Sequence, residues 1–120
     1  MLQVTPHMRV LVATEPADFR RGIDGLARQC RAVLRCNPMS GAMFVFRNRR
    51  RTAIKVLVYD GQGFWLCYKR LSSGKFLWWP EAAAPAAELQ AHELQVLMSA
   101  GDPGSTKAAP TWRPLKPPTS

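Results

Sequence analysis

Histidine and acidic side chains are scarce in this chain of 120 residues, which has two His and eight Asp and Glu, so common proton-transfer and metal chemistry has few groups to use. His7 and His92 lie far apart, and neither stands beside a nucleophile or an orienting carboxylate motif, so both read as surface histidines. Metal-dependent phosphodiester cleavage needs two or three carboxylates converging on divalent cations. Residues 1–80 offer Glu15, Asp18, Asp24 and Asp60. Asp18 and Asp24 fall on different sides of one expected helix and Asp60 reads as a turn residue, so a small nuclease would require the three aspartates to be drawn together by the fold. Three cysteines, Cys30, Cys36 and Cys67, cannot all pair within the chain, and none stands in a C-x-x-C pair. That is the pattern of a reducing compartment, and it does not suit zinc. Cys30 on a helix face and Cys67 in a strand read as small packed hydrophobes. There is no glycine-rich phosphate loop or dinucleotide fingerprint. The start, MLQVTPHMRVLVATEP, lacks an apolar stretch of signal-peptide length, and no run approaches the roughly 18 residues of a membrane span. The expectation is a cytoplasmic, non-enzymatic protein with no membrane contact, no metal and no cofactor.

What the chain has in excess is positive charge. Seventeen Lys and Arg against eight Asp and Glu give a formal +9, and 47% of residues are apolar, which is ordinary for a globular chain. The excess is uneven. Residues 1–80 carry fourteen basic and four acidic side chains, a net of +10, whereas 81–120 carry three and four, a net of −1. A basic core with a neutral tail points to a polyanionic partner.

Arg9 to Ala13 (RVLVA) reads as a strand. From Asp18, Phe19, Ile23, Leu26, Cys30, Val33 and Leu34 recur at helical spacing with Arg20, Arg21, Arg28, Arg31 and Arg35 between them. The spacing predicts an amphipathic helix with a basic outer face, capped by Thr14 or Asp18 and stopped at Asn37-Pro38. Gly22 and Gly25 each cost that helix roughly 1 kcal/mol, which suggests close backbone packing or ligand approach there. Strands follow: AMFVF at 42–46, a charged turn at Arg47 to Arg51, AIKVLVY at 53–59, a D-G-Q-G turn, FWLCYKRL at 64–71, and Lys75 to Trp79 after Ser72-Ser73-Gly74. This predicts an antiparallel meander of three or four strands. A second helix is expected from about Ala86 to Ser99, with an apolar stripe through Leu89, Leu94, Val96, Leu97 and Met98, ended by Gly101. The last nineteen residues contain five prolines and read as a mobile tail, so 1–101 is expected to form one domain and 102–120 a flexible extension.

The constellation that carries chemistry is RNRRR at Arg47 to Arg51, extended by Lys55, Lys69, Arg70 and Lys75. A meander sets the Arg47–Arg51 turn and Lys69-Arg70 at one end of the sheet, where they form a phosphate-neutralising patch. Arginine there can grip a phosphate with two parallel hydrogen bonds. Trp65, Tyr68, Trp78 and Trp79 lie among these charges and are open to two readings, as base-stacking platforms or as core and interface residues.

Three segments together carry a resemblance: DFRRGIDGLA at Asp18 to Ala27, SGAMFVFRNRRRTAIKVLVYDGQGFWLCYKRLSSGKFLWW at Ser40 to Trp79, and LQAHELQVLM in the last helix. They resemble the TnpB, or Orf two, accessory-protein family of insertion-sequence family sixty-six, over roughly residues 9–101. The ordered pattern F-x-F-R-x-R-R, strand, D-G-x-G, strand, K-R-L, G-[KR]-F is far more specific than any one short motif. The pattern falls on Asp18, Arg20, Arg21, Gly22, Asp24, Gly25, Arg47, Arg50, Lys55, Asp60, Gly61, Gly63, Lys69, Arg70, Leu71 and Gly74. Gly61, Gly63 and Gly74 read as turn residues, whereas two arginines at the start of a helix gain nothing from the local dipole and so have a better functional case. The resemblance implies a protein that assists transposition of a mobile element beside a separate, catalytic transposase. At the C-terminus this chain reads SAGDPG where the family continues with an apolar-acidic step.

The expected fold is α+β, a small antiparallel sheet of four to five strands with a helix in the N-terminal half and a C-terminal helix. DNA is the expected partner, held by Arg20, Arg21, Arg47, Arg49, Arg50, Arg51, Lys55, Lys69, Arg70 and Lys75, together with the transposase and another accessory subunit. The rival reading is an adaptor that docks its basic face or an exposed Trp65 or Trp78 on one of those proteins without touching DNA.

Overall fold

A computed structural model describes residues 7–81 and 83–99. The stretches rich in branched and aromatic residues become strands: β1 (Val10–Ala13), β2 (Met43–Arg47), β3 (Ala53–Tyr59) and β4 (Phe64–Arg70). A fifth, β5 (Ala86–Leu89), completes one sheet in the order β4-β3-β2-β1-β5. Two helices, α1 (Ile23–Gln29) and α2 (Ala91–Met98), make up the rest of the α+β layout.

β2, β3 and β4 form the expected antiparallel meander, with Val45 opposite Val56 and Val56 opposite Cys67. The sheet as a whole is mixed. β1 runs parallel to β2, with Val10 beside Met43, because α1 lies between the two strands in sequence and returns the chain to the starting edge.

Alternation along the strands builds two cores. Val10, Val12, Met43, Val45, Ile54, Val56 and Val58 pack with Leu94 and Leu97 of α2, while Leu11, Ala13, Phe44, Phe46 and Leu57 pack with Leu26, Ala27 and Cys30. Both faces of β1 and β2, and of most of β3, are therefore buried, which is why these strands read as apolar runs, broken only by Lys55 in β3, and not as alternating ones. Burial pushes the Cys30 thiol up to about 12, so it stays protonated and behaves as a small hydrophobe.

Four expectations are corrected. The first helix begins at Ile23 behind Gly22 and not at Asp18, and neither Thr14 nor Asp18 caps it. Thr14 instead donates its hydroxyl to the carbonyls of Ala84 and Pro85, and Asp18 is taken by Arg20. The helix then widens into a π turn over Cys30–Leu34, whose extra residue rotates Val33 outward to 46% exposure, and Arg35 ends it in the left-handed region.

Lys75 to Trp79 forms no strand. It crosses the α2 face of the sheet as an irregular strap, anchored by the Phe76 N–H on the Arg51 carbonyl at 2.8 Å. Phe76 and Trp79, three residues apart, are buried and Leu77 is 80% exposed, a spacing no flat strand allows.

The stretch expected as one helix from Ala86 to Ser99 splits in two. Residues 86–89 pair antiparallel with β1, whose open edge outweighs the helical propensity of alanine, and α2 starts afresh from a capping box between Gln90 and Glu93. Gly101 and the proline-rich stretch 102–120 lie outside the described residues.

Candidate nucleic-acid interface

The β2–β3 turn is built by one asparagine. Asn48 Oδ1 accepts the N–H groups of Thr52 and Ala53, and its amide donates to the Thr52 hydroxyl at 2.8 Å. Arg51 closes the turn with φ +61°, which leaves Arg49 and Arg50 exposed at its tip. The loop before α1 lies against this turn, because the Ala17 N–H donates to the Arg47 carbonyl at 2.9 Å. Between them is an open cleft of about 570 Å³, lined by Pro16, Ala17, Asp18, Phe19, Asn48, Arg49 and Arg50.

Arg20 projects from the loop with its side chain 91% exposed while its guanidinium holds Asp18 at 3.0 Å. Arg21 lies across the first turn of α1 to reach Gln29, and Gly25 makes room: a Cβ there would come within 2.9 Å of the Arg21 side chain. Of the two glycines suspected of close packing, Gly25 meets the Arg21 side chain, whereas Gly22 has nothing within 4 Å. Arg70 sits opposite Ala53, at the same end of the sheet, and Lys75 precedes the residue bonded to Arg51. Arg20, Arg21, Arg49, Arg50, Arg70 and Lys75 are all exposed, and these contacts gather them at one end of the molecule, with Arg51 half-buried among them.

The other three candidates have internal duties. Lys55 points its ammonium at the carbonyls of Phe19 and Arg21, each at 2.9 Å, and lies over the rings of Phe19 and Tyr68. It ties the arginine-bearing loop to β3. It also explains the late start of α1, since carbonyls turned toward Lys55 are unavailable for a helical turn. Lys69 faces the opposite side of the sheet and donates to the Met98 carbonyl at the end of α2. Arg47 stacks over Trp79 at 5.8 Å, and its Nε is buried without a partner among the described residues. Burial first, then the neighbouring Arg51 and Arg49, lowers its pKa from the ordinary guanidinium value, partly offset by Glu15.

The aromatic residues separate as well. Trp79 is buried, with its indole N–H on the Ala13 carbonyl, and Trp78 is half-buried. Trp65 is exposed at the far end of β4, where Asp60 accepts its indole N–H at 2.8 Å. Tyr68 alone of the four stays exposed close to the basic end, its ring 6.1 Å from that of Phe19. Phe19 and Asn48 were not singled out as site residues from the sequence. The signal for Asn48 was its place in a charged hairpin turn.

Of the three aspartates considered for metal chemistry, Asp18 and Asp60 are held by other groups. Asp60 is held below the ordinary carboxylate range by the N–H groups of Gln62 and Gly63 and then by Trp65. Asp24 lies in the first turn of α1. Among the described residues no three His, Cys, Asp or Glu side chains gather as a metal site.

Asp18 is lowered from 3.8 to about 2, chiefly by the Arg20 guanidinium and then by the Arg20 N–H. Its pairing therefore supports the loop fully above the ordinary carboxylate value, and that support is lost as pH falls through about 2. A carboxyl NMR titration is expected to place Asp18 near 2 in the native chain and to move it part of the way back toward 3.8 in an Arg20→Gln variant, which keeps the backbone N–H. An unshifted native midpoint would refute the pairing.

The family described as IS66 Orf2 like protein matches residues 8–108. Two Sinorhizobium fredii (strain NBRC 101917 / NGR234) proteins are similar along nearly their whole length. "Uncharacterized protein y4hO" is 40% identical and "Uncharacterized protein y4jC" 37% identical, each over 116 residues covering 97% of this chain and 98% of the relative. No solved structure matches. A family match over residues 8–108 shows that the chain belongs to the IS66 Orf2-like family of transposition accessory proteins.

Proposed function

We propose that this protein assists transposition of an insertion sequence in the cytoplasm without catalysing a reaction, binding DNA through its basic end beside a separate transposase. The observation that carries this reading is the joining of two arginine-bearing loops by the Ala17–Arg47 hydrogen bond and by Lys55. Arg20, Arg21, Arg49, Arg50 and Arg70 thereby form one cationic surface from three separate stretches of sequence. Such a surface meets phosphates, not base edges, so affinity tolerant of sequence and steep in salt is expected. Phe19 and Tyr68 beside it add an aromatic surface on which an unpaired base can stack. The Lys69 and Arg47 side chains serve the fold in this reading.

The test is binding to fluorescent duplexes carrying element ends and to an unrelated duplex across a salt series, with an Arg49→Glu/Arg50→Glu variant alongside. Arg51 is left intact because its left-handed backbone and carbonyl hold the turn and the strap. Each phosphate contact contributes a slope of about −0.9 in log affinity against log salt, so losing two contacts flattens the dependence by about 2. A loss of tenfold or more in affinity with an unchanged thermal midpoint supports the reading. Absence of binding to any duplex at low salt would overturn it and leave the adaptor reading, which exposed Leu77 on the strap favours.

A further inference from the structure

β4 is an edge strand of seven residues, and its hydrogen-bond parity can be read from its ends. The Leu71 N–H donates to Thr52, and the Gly63 carbonyl accepts from Asp60. Odd-numbered residues of β4 therefore turn their backbone groups toward β3. Alternation then directs the N–H and C=O of Phe64, Leu66, Tyr68 and Arg70 outward, away from the sheet.

The strand is asymmetric along its length. Its first half, Phe64-Trp65-Leu66, is aromatic and apolar, and its second half ends in Lys69-Arg70. Trp65 and Tyr68, on opposite faces, are 48% and 56% exposed. Edge strands are commonly guarded by charge, proline or a bulge. Here β4 has no proline, and its charge sits at one end only. Parallel contact with a second copy would set Lys69-Arg70 against Lys69-Arg70. Antiparallel contact sets them against Trp65 and Phe64, where the cationic side chains lie along aromatic rings. The strand thus repels itself in one orientation and complements itself in the other.

We propose that two copies of this chain pair antiparallel along β4, in the register that places Cys67 opposite Cys67, forming one continuous ten-stranded sheet. Full overlap of Phe64–Arg70 with itself centres on Cys67. It pairs Arg70 with Phe64 and Tyr68 with Leu66, so every outward backbone group finds a partner, in about eight hydrogen bonds. On one face the stem of Lys69, whose ammonium stays on the Met98 carbonyl, lies beside Trp65, whose ring Asp60 already fixes. Cys67 falls at the two-fold axis in a non-hydrogen-bonded pair, where Cα atoms stand about 4.5 Å apart, within reach of a disulfide. This interface does not depend on DNA binding. Because both partners are basic, pairing strengthens with added salt, whereas DNA contact weakens.

The full chain in a Cys36→Ser background is examined reduced, by sedimentation over a concentration series, and after brief treatment with copper phenanthroline, on a non-reducing gel. Cys30 is buried and does not compete. The expected results are a reversible dimer at micromolar concentrations and a cross-linked dimer that disappears with Cys67→Ser. Leu66→Pro removes one outward N–H without touching the β3 ladder. Tyr68→Glu changes an exposed side chain, and circular dichroism reports that both variants remain folded. Each is expected to weaken dimerisation at least tenfold. A chain that stays monomeric at several hundred micromolar, a dimer indifferent to both variants, or a dimer whose Cys67 thiols fail to cross-link would overturn the proposal.

Discussion

Replacing Lys55 with methionine is expected to cost about 2–4 kcal/mol, because the Phe19 and Arg21 carbonyls lose a charged donor together. Methionine keeps most of the stem that lies along Phe19 and Tyr68, so the loss reports the ammonium and not its packing. Two cation–π contacts, at 5.0 and 5.6 Å, go with it and add a smaller amount. Urea denaturation of the variant should show a lower midpoint with an unchanged slope. The loop bearing Arg20 and Arg21 would then keep the Ala17–Arg47 bond and the Phe19–Tyr68 ring contact but lose its hydrogen bonds to β3, and affinity for DNA should fall although an exposed cation has not been removed. A change in stability below about 0.5 kcal/mol, within the range of ordinary surface substitutions, would show that water replaces the ammonium at little cost.

The largest loss of stability is expected from Trp79→Ala, about 3–5 kcal/mol from buried ring area and the cavity left behind. Trp79 is 3% exposed, and three separate features meet on it. It fills the core between the sheet and α2, donates to the Ala13 carbonyl at 2.8 Å, and supports the guanidinium of Arg47. Trp79→Phe keeps much of the packing and deletes the hydrogen bond, which leaves the Ala13 carbonyl to be accounted for at roughly 1–3 kcal/mol. Thermal unfolding of the two variants separates the contributions, since each kcal/mol shifts the midpoint by about 4–8 °C in a domain of this size. Equal midpoints for the two variants would mean that the hydrogen bond, and not the ring, holds the strap.

The meander was legible because its signals are local. Branched runs at 42–46 and 53–59 and the D-G-Q-G turn lie within a few residues of what they specify, and the observed strands follow them within about a residue. The basic end was legible for the same reason: hairpin spacing alone brings Arg70 back beside the Arg47–Arg51 turn. What was missed depends on distant partners. Ala86 to Leu89 has the composition of a helix and becomes a strand only because β1 offers an edge. Lys55 looks like one more cation in a basic stretch until Phe19 and Arg21, more than thirty residues earlier, turn their carbonyls to it. Charge in a sequence counts cations but does not say which are already committed within the fold.

The position of β1 has a consequence for the order in which the chain can fold. Val10 lies between Met43 and Leu89, so the strand that leaves the ribosome first is paired on one side by a segment made near the end of the domain. The meander from Met43 to Arg70 closes through short turns and needs nothing beyond itself for its ladder. β1 needs two long closures, one spanning α1 and the other nearly the whole domain, and each costs chain entropy before any contact repays it. Insertion of β1 between β2 and β5 is therefore the late step. Until β5 arrives, the apolar VLVA segment has one open edge to keep from other chains.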